Sequence, residues 1–84
     1  MDILRVKPLE FKMLEIEFEN NEIRVFDLKP YLSIGIFQEL NDEAKFIKVR
    51  PFFNSLVWES GQDLSSDTLY LKSIPTAQSS EIYQ

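Results

Sequence analysis

The clearest pattern in the chain is a strict alternation of apolar and acidic residues over positions 14–19. Three apolar side chains alternate with three glutamates, which is the period of a half-buried β-strand. The pair Asn20-Asn21 follows, and asparagine tolerates the positive φ that a two-residue hairpin turn requires. The alternation resumes over positions 23–25. The pattern therefore predicts an antiparallel hairpin with Asn20-Asn21 as its turn.

A two-residue turn also fixes the register of this hairpin. Phe18 then faces Ile23 on the apolar side of the ribbon, where Val25 follows. On the other side Glu17 faces Arg24, which is a favourable cross-strand pair. We therefore expect Ile23 and Val25 to join the core and Arg24 to lie on the solvated side.

The remaining elements predict a small α+β domain. A strand at 3–7 is closed by Pro8, and a helical turn at 27–32 stops at Gly35. A helix at 42–48 is capped by Asn41-Asp42, and a last helical turn is capped by Ser65 or Ser66. Between them lies a second hairpin at 52–58, with Asn54-Ser55 as its turn. The predicted fold is one domain over residues 1–72. It has an antiparallel sheet of about four to five strands, built from two hairpins, with two or three short helices. Residues 73–84 are polar and are expected to form a flexible tail.

Composition excludes most catalytic chemistry. The 84 residues include no cysteine and no histidine, so disulfides, Cys–His or Ser–His–Asp nucleophiles and the usual zinc sites are excluded. Gly35 and Gly61 are too far apart to form a phosphate-binding loop. Glu15, Glu17 and Glu19 leave a carboxylate-dependent enzyme as an alternative, but their alternation favours a solvated strand face. We expect no catalytic residue, no cofactor and no metal.

Charge and hydropathy indicate a location. The net charge of −5 disfavours nucleic acid and anionic lipid as direct partners. Residues 1–7 lack the apolar stretch of a secretory signal, and no apolar run reaches the length of a membrane span. We therefore expect a cytoplasmic protein that does not bind membranes.

The most distinctive segment runs from Trp58 to Asp63. One hypothesis is a binding loop in which Trp58 anchors a ligand and Asp63 provides a polar contact. The alternative, which we favour, places Trp58 in the core, Gly61 at positive φ and Asp63 on nearby backbone amides. Phe52 and Phe53 add a second candidate, because adjacent strand residues point to opposite faces. One of them must then lie under a helix on the far face or be exposed as a contact surface.

Lys45, Lys48 and Arg50 form a local basic cluster close to these phenylalanines. Basic residues interleaved with aromatics can contact the phosphates and bases of single-stranded nucleic acid. Three positive charges on an acidic domain more often form a solvated face. The cluster therefore supports only an alternative function, a nucleic-acid-linked component of a transcriptional regulator.

Several short motifs, in order, resemble one bacterial family, the domain of unknown function 2442. They are Val25-Phe26-Asp27-Leu28 with Pro30 and Leu32, Gly35-Ile36-Phe37 with Leu40, Phe46 and Val49, residues 57–64, and Asp67-Thr68-Leu69-Tyr70. The likeness covers residues 3–71. The chain departs from the family at Glu59, Ser60 and Gln62, where relatives commonly have Pro-Asn before the glycine and a small residue after it.

The resemblance implies a small α+β fold with an antiparallel sheet, fused in longer relatives to a helix-turn-helix. It also implies a partner, since short relatives often occur in toxin–antitoxin-like gene pairs. We therefore expect a non-catalytic interaction module, the antitoxin-like or regulatory member of such a pair. Its partner would be a second copy of itself or another small protein, such as the product of an adjacent gene.

Overall fold

The computed structural model describes residues 1–76, which contain seven β-strands and two α-helices. The elements are β1 (Ile3–Leu9), β2 (Met13–Phe18), β3 (Ile23–Asp27), α1 (Glu43–Phe46), β4 (Arg50–Phe52), β5 (Ser55–Val57), β6 (Asp63–Ser65), α2 (Ser66–Lys72) and β7 (Ile74–Pro75). Short 3-10 segments at Glu10–Lys12, Lys29–Tyr31 and Gly35–Asn41 connect them. Within residues 1–76, no helix has the length and apolar character needed to cross a membrane.

The strands form two antiparallel sheets, with orders β1-β2-β3-β7 and β4-β5-β6. The α+β class and the two hairpins, β2–β3 and β4–β5, are confirmed. The structure has seven strands where four or five were expected. The two strands that were not predicted, β6 and β7, are only three and two residues long. Segments of that length are too short to show a hydrophobic period. The sheets meet where the Ile3 N–H donates to the Phe53 carbonyl at 3.0 Å.

The first hairpin closes with a three-residue loop instead of the predicted two-residue turn. The Phe18 N–H donates to the Glu22 carbonyl at 2.9 Å, and Asn21 has a φ of 70°. A left-handed residue in the last loop position is typical of three-residue hairpin loops. The extra residue places Glu17 opposite Ile23. The predicted register is therefore wrong by one residue.

This shift exchanges the two faces of β3, because successive strand residues point to opposite sides. Arg24 and Phe26 face the core side with the buried residues of β2, whereas Ile23 and Val25 face away. The Arg24 side chain is only 12% exposed. The predicted burial of Ile23 and Val25 and the predicted pair between Glu17 and Arg24 are therefore wrong.

The second hairpin is also shifted by one position. Phe52 pairs with Ser55, so Phe53 and Asn54 form the turn, in place of the predicted Asn54-Ser55. Phe53 adopts a φ of 54°, in the left-handed region. The chain reverses one residue earlier than expected, and Phe53 leaves the strand.

Both predicted helix caps are present. The Asp42 carboxylate accepts the Ala44 N–H at 3.0 Å, and the Ser65 hydroxyl accepts the Thr68 N–H at 3.4 Å. After α2, Ile74–Pro75 pairs with β3 as strand β7. The predicted tail, residues 73–84, thus includes a strand of the larger sheet at its start. The rest of the predicted tail, residues 77–84, lies outside the described part of the chain.

The core lies between the two sheets and the helical segments. Its buried apolar residues come from both sheets, α1, α2 and the connections between them: Ile3, Leu14, Ile16, Phe18, Phe26, Leu28, Leu40, Phe46, Val49, Leu56, Trp58, Leu64 and Leu69. In the smaller sheet, Leu56 and Leu64 point into this core. Within residues 1–76, the opposite side of that sheet carries exposed residues of both edge strands: Arg50, Phe52, Asp63 and Ser65.

Candidate functional site

The β4–β5 turn presents two phenylalanine rings to solvent. Phe52 is 53% exposed and Phe53 is 72% exposed. The rings stack edge to face, with centroids 4.8 Å apart and planes at 73°. The sequence left open whether one ring lies under a helix or is exposed. Both are exposed, because Phe52 lies on the side of β4 that faces away from the core and Phe53 belongs to the turn.

Next to this turn lies the side of the three-stranded sheet that faces away from the core, which we call the outer face. Arg50 pairs with Val57, and Val57 pairs with Asp63, so these three side chains form one row across β4, β5 and β6. Opposed residues in neighbouring strands project to the same side. The second row holds Phe52, Ser55 and Ser65.

The outer face is continuous with a shallow groove of about 370 Å³. Arg50, Phe52, Trp58 and Asp63 all line it. Three of the four predicted contact residues therefore share one surface feature, and Phe53 lies beside it at the turn.

Trp58 contributes to the core more than to the surface. It is 3% exposed, and its indole Nε1–H donates to the Phe46 carbonyl at 3.0 Å. Phe46 is the last residue of α1, where helix carbonyls lack intrahelical partners, so the indole caps that end. Gly61 has a φ of 105°, as the structural interpretation requires. Asp63 differs from that interpretation, because it is an exposed residue of β6.

The sequence did not single out Gln62 as a buried polar residue, although it is only 1% exposed. Its amide nitrogen donates to the Ile36 carbonyl at 2.7 Å, and its amide oxygen accepts the Ser60 hydroxyl at 2.7 Å. The Gln62 side chain thereby fixes the 58–62 turn against the 3-10 segment. No periodic signal marks such a residue, since glutamine is usually exposed.

The three basic residues do not form one cationic patch. Lys45 bonds to Glu39 at 2.8 Å, and this hydrogen bond and the nearby negative charge raise the pKa of Lys45. Lys45 and Lys48 line a groove of about 430 Å³ together with the acidic residues Asp42 and Glu59. Arg50 lies on the outer face instead. The predicted phosphate contacts are therefore divided between two grooves and interspersed with carboxylates.

The two glutamates of β2 share one face of the larger sheet. Glu15 and Glu17 lie on the side of the larger sheet that faces away from the core, and Glu17 bonds to Arg5 of β1 at 2.7 Å. In residues 1–76, no group of three or more acidic side chains comes together as metal ligands would. Glu17 thus serves as the partner of a cation on the neighbouring strand.

One polar cluster joins the C-terminal elements to β3. The Tyr70 hydroxyl donates to Glu22 at 2.5 Å, and the Arg24 guanidinium lies 4.3 Å from the Tyr70 ring centre. Arg24 also donates to Glu22 at 2.8 Å and to the side chain and carbonyl of Ser73. The hydrogen bond from Tyr70, followed by that from Arg24, lowers the pKa of Glu22. The same Glu22 contact raises the pKa of Tyr70. The cluster fastens α2 and β7 to the larger sheet.

Comparison with protein families gives one result that covers nearly the whole described domain. The family model described as "Protein of unknown function (DUF2442)" matches residues 3–75, which confirms the resemblance found in the sequence motifs. That description indicates no catalytic activity. Comparison with curated proteins and with solved structures gives no significant match. The chain therefore belongs to the DUF2442 family.

Proposed function

We propose that this chain is a non-catalytic protein-interaction module that binds its partner through the Phe52–Phe53 turn and the adjoining outer face. The observation that carries the proposal is the exposed, edge-to-face pair of Phe52 and Phe53. With 53% and 72% exposure, the two rings present roughly 250 Å² of mostly apolar surface. The stacked rings form one contiguous apolar patch, unlike the single exposed apolar residues that are normal on a protein surface.

The backbone at Phe53 supports the same proposal. A left-handed φ of 54° costs a residue with a Cβ about 1 kcal/mol or more, whereas glycine or asparagine adopts it easily. Phenylalanine at this position therefore lowers stability and leaves a large ring in solvent. Phe11 shares this conformation and exposure at the β1–β2 connection, so the strain supports the Phe53 surface only together with the Phe52 ring stacked on it and the adjoining outer face.

The energetics indicate that the turn acts with its surroundings. Burying about 250 Å² of apolar surface is worth about 6 kcal/mol. Association costs an estimated 4–15 kcal/mol in lost freedom, so the two rings alone give weak binding. The outer face extends the contact by two rows of side chains. The smallest interface that we propose therefore includes both the Phe52–Phe53 turn and the outer face.

The finer proposal is that the module is the antitoxin-like or regulatory member of a gene pair and acts in the cytoplasm. Its net charge of −5 suits a basic partner, because opposite net charges accelerate association. The alternative, a nucleic-acid-linked regulator, has less support, because Lys45 is already bound to Glu39. A carboxylate-dependent enzyme has the least support, since Glu17 is already bound to Arg5.

The test is retention of the adjacent gene's product by the tagged full chain. The variants are Phe53→Ser and, as the matched control, Phe11→Ser. Phe11 is also an exposed phenylalanine in the left-handed region, with 78% exposure and a φ of 62°, but it lies at the β1–β2 connection. Circular dichroism checks that both variants are folded.

We expect the wild type and Phe11→Ser to retain the partner at equal stoichiometry and Phe53→Ser to lose it. Equal retention by all three proteins would refute the assigned surface. A wild-type chain that binds neither itself nor the neighbouring product would refute the function. Binding of nucleic acid that falls steeply with salt would favour the regulator instead.

A further inference from the structure

The outer face carries opposite charges at symmetrical positions. Arg50 lies on one edge strand, Asp63 lies on the other, and Val57 lies between them on the central strand. In the part of the chain that the structure describes, neither Arg50 nor Asp63 forms an ion pair. The row is therefore an unpaired positive charge, an apolar centre and an unpaired negative charge.

We infer that the outer face is a twofold interface between two copies of this chain, so that the first partner of the proposed module is itself. This inference rests on the proposed function, because it names the occupant of the same surface. It depends on the charge row together with the sizes of the side chains beside it.

A twofold axis parallel to β5 and passing over Val57 makes the charge row complementary to itself. Neighbouring strands lie about 4.8 Å apart, so Arg50 and Asp63 are equally distant from this axis on opposite sides. The rotation places Arg50 of each copy over Asp63 of the other, and Val57 meets Val57. Packed sheets lie about 10 Å apart, a distance that an arginine and an aspartate side chain can span together. The interface thus contains two equivalent ion pairs around an apolar centre.

The second row fits the same rotation by size. Phe52 lies on β4, and the corresponding position on β6 is Ser65. The axis that pairs the charges places the large Phe52 ring of one copy over the small Ser65 of the other. Ser55, on the central strand, lies on the axis and leaves room for both rings. Large side chains opposite small ones allow two faces to interdigitate.

The charges also select one orientation of the two copies. A twofold axis perpendicular to the strands and running along the charge row would place Arg50 against Arg50 and Asp63 against Asp63. Juxtaposed like charges are strongly unfavourable, so this arrangement is disfavoured. An axis between the two rows would place Arg50 over Phe52 and Asp63 over Ser65, so that neither charge meets an opposite charge. The parallel axis is the one in which every charge of the row finds an opposite charge.

The size of the face predicts a weak dimer. Three strands of three residues each, with the Phe52–Phe53 turn at one end, lie at the low end of protein interfaces. We expect a dissociation constant on the order of 100 µM, because the two ion pairs are offset by the repulsion between two chains of net charge −5. Even weak association stabilises a chain of this size at high concentration.

The test uses charge reversals read by sedimentation velocity over a concentration series at low salt. Arg50→Glu and Asp63→Lys each place like charges at both contacts of the dimer. We expect each single variant to dimerise at least about tenfold more weakly than the wild type. The controls Lys48→Glu and Glu19→Lys make equal charge changes at exposed positions away from the row and should leave the dissociation constant within about threefold.

Two restorations make the test specific. The double variant Arg50→Glu/Asp63→Lys should dimerise like the wild type, because the two charges are exchanged. An equimolar mixture of the two single variants should form a heterodimer, because each contact then joins opposite charges. Failure of either restoration, or single variants that match the controls, would overturn the inference.

The result also separates this inference from the proposed function. A wild type that stays monomeric up to about 1 mM, ten times the expected constant, but retains another protein through Phe53 overturns the dimer and leaves the function standing. A monomer that retains nothing overturns both. A dimer that passes the charge-exchange tests supports both.

Discussion

Replacing Trp58 by phenylalanine should remove most of the stability of this domain. The indole Nε1–H donates to the Phe46 carbonyl at 3.0 Å in a site where Trp58 is 3% exposed. Phenylalanine cannot donate, so this buried carbonyl at the end of α1 would lose its partner at a cost of about 1–3 kcal/mol. The smaller ring also leaves a cavity, which adds about 1 kcal/mol or more. The total is about 3 kcal/mol, against about 3–5 kcal/mol for a whole domain of this size.

The measurement is chemical denaturation followed by far-UV circular dichroism, since Trp58 is the chain's one tryptophan and its fluorescence is lost with it. The matched control is Phe37→Leu. Phe37 contacts Trp58 edge to face at 6.4 Å and Tyr31 at 5.7 Å, so this variant loses two aromatic contacts and leaves the hydrogen bond intact. We expect the control to lose about 1–3 kcal/mol in addition to the effect of its smaller side chain. A Trp58→Phe variant within about 0.5 kcal/mol of the wild type, which is the range of ordinary surface substitutions, would refute this account of the core.

Three further substitutions test the turns and the polar cluster. Gly61→Ala should destabilise the domain by about 1–3 kcal/mol in a urea titration, because φ is 105° there and the new Cβ would lie 3.3 Å from Ile36 Cδ1. Phe53→Asn should raise the free energy of unfolding by up to about 1 kcal/mol in the same titration, since asparagine tolerates the left-handed turn, and should abolish partner retention. Tyr70 lowers the pKa of Glu22, so this contribution to stability is present above the ordinary value of 4.5 and is lost as the pH falls through the lower pKa of the folded state. Conversely, the raised pKa of Tyr70 gives a contribution that is present below its ordinary value of 10.0 and is lost as the pH rises through the folded value. Tyr70→Phe should make the urea midpoint of unfolding less dependent on pH in both the acidic and the alkaline range. An unchanged pH dependence would contradict the interaction between Tyr70 and Glu22.

The sequence predicts the strands of the first hairpin but not their register. The alternation that identified β2 and β3 is real, but Asn20-Asn21 fits a two-residue turn and a three-residue loop equally well. The choice between them decides whether Arg24 faces solvent or the core side. In the structure Arg24 is held by Tyr70 and Ser73, which lie far along the chain in and after α2. Contacts formed by distant residues thus set a register that local pattern leaves undetermined.

The candidate site was likewise only partly predictable from the sequence. Phe52 and Phe53 could be recognised from the sequence, because two adjacent phenylalanines cannot both enter one core from a strand. Arg50 was instead grouped with the lysines that precede it, since nearness along the chain is all that a sequence displays. The registers of β4, β5 and β6 place it in one row with Asp63, and those registers are set by the two turns between the strands. A shift of one position in either turn would move one charge off the outer face and destroy the symmetry of the row. The charge-exchange experiment is therefore also a test of the sheet registers, because only this alignment makes two separately defective chains complementary.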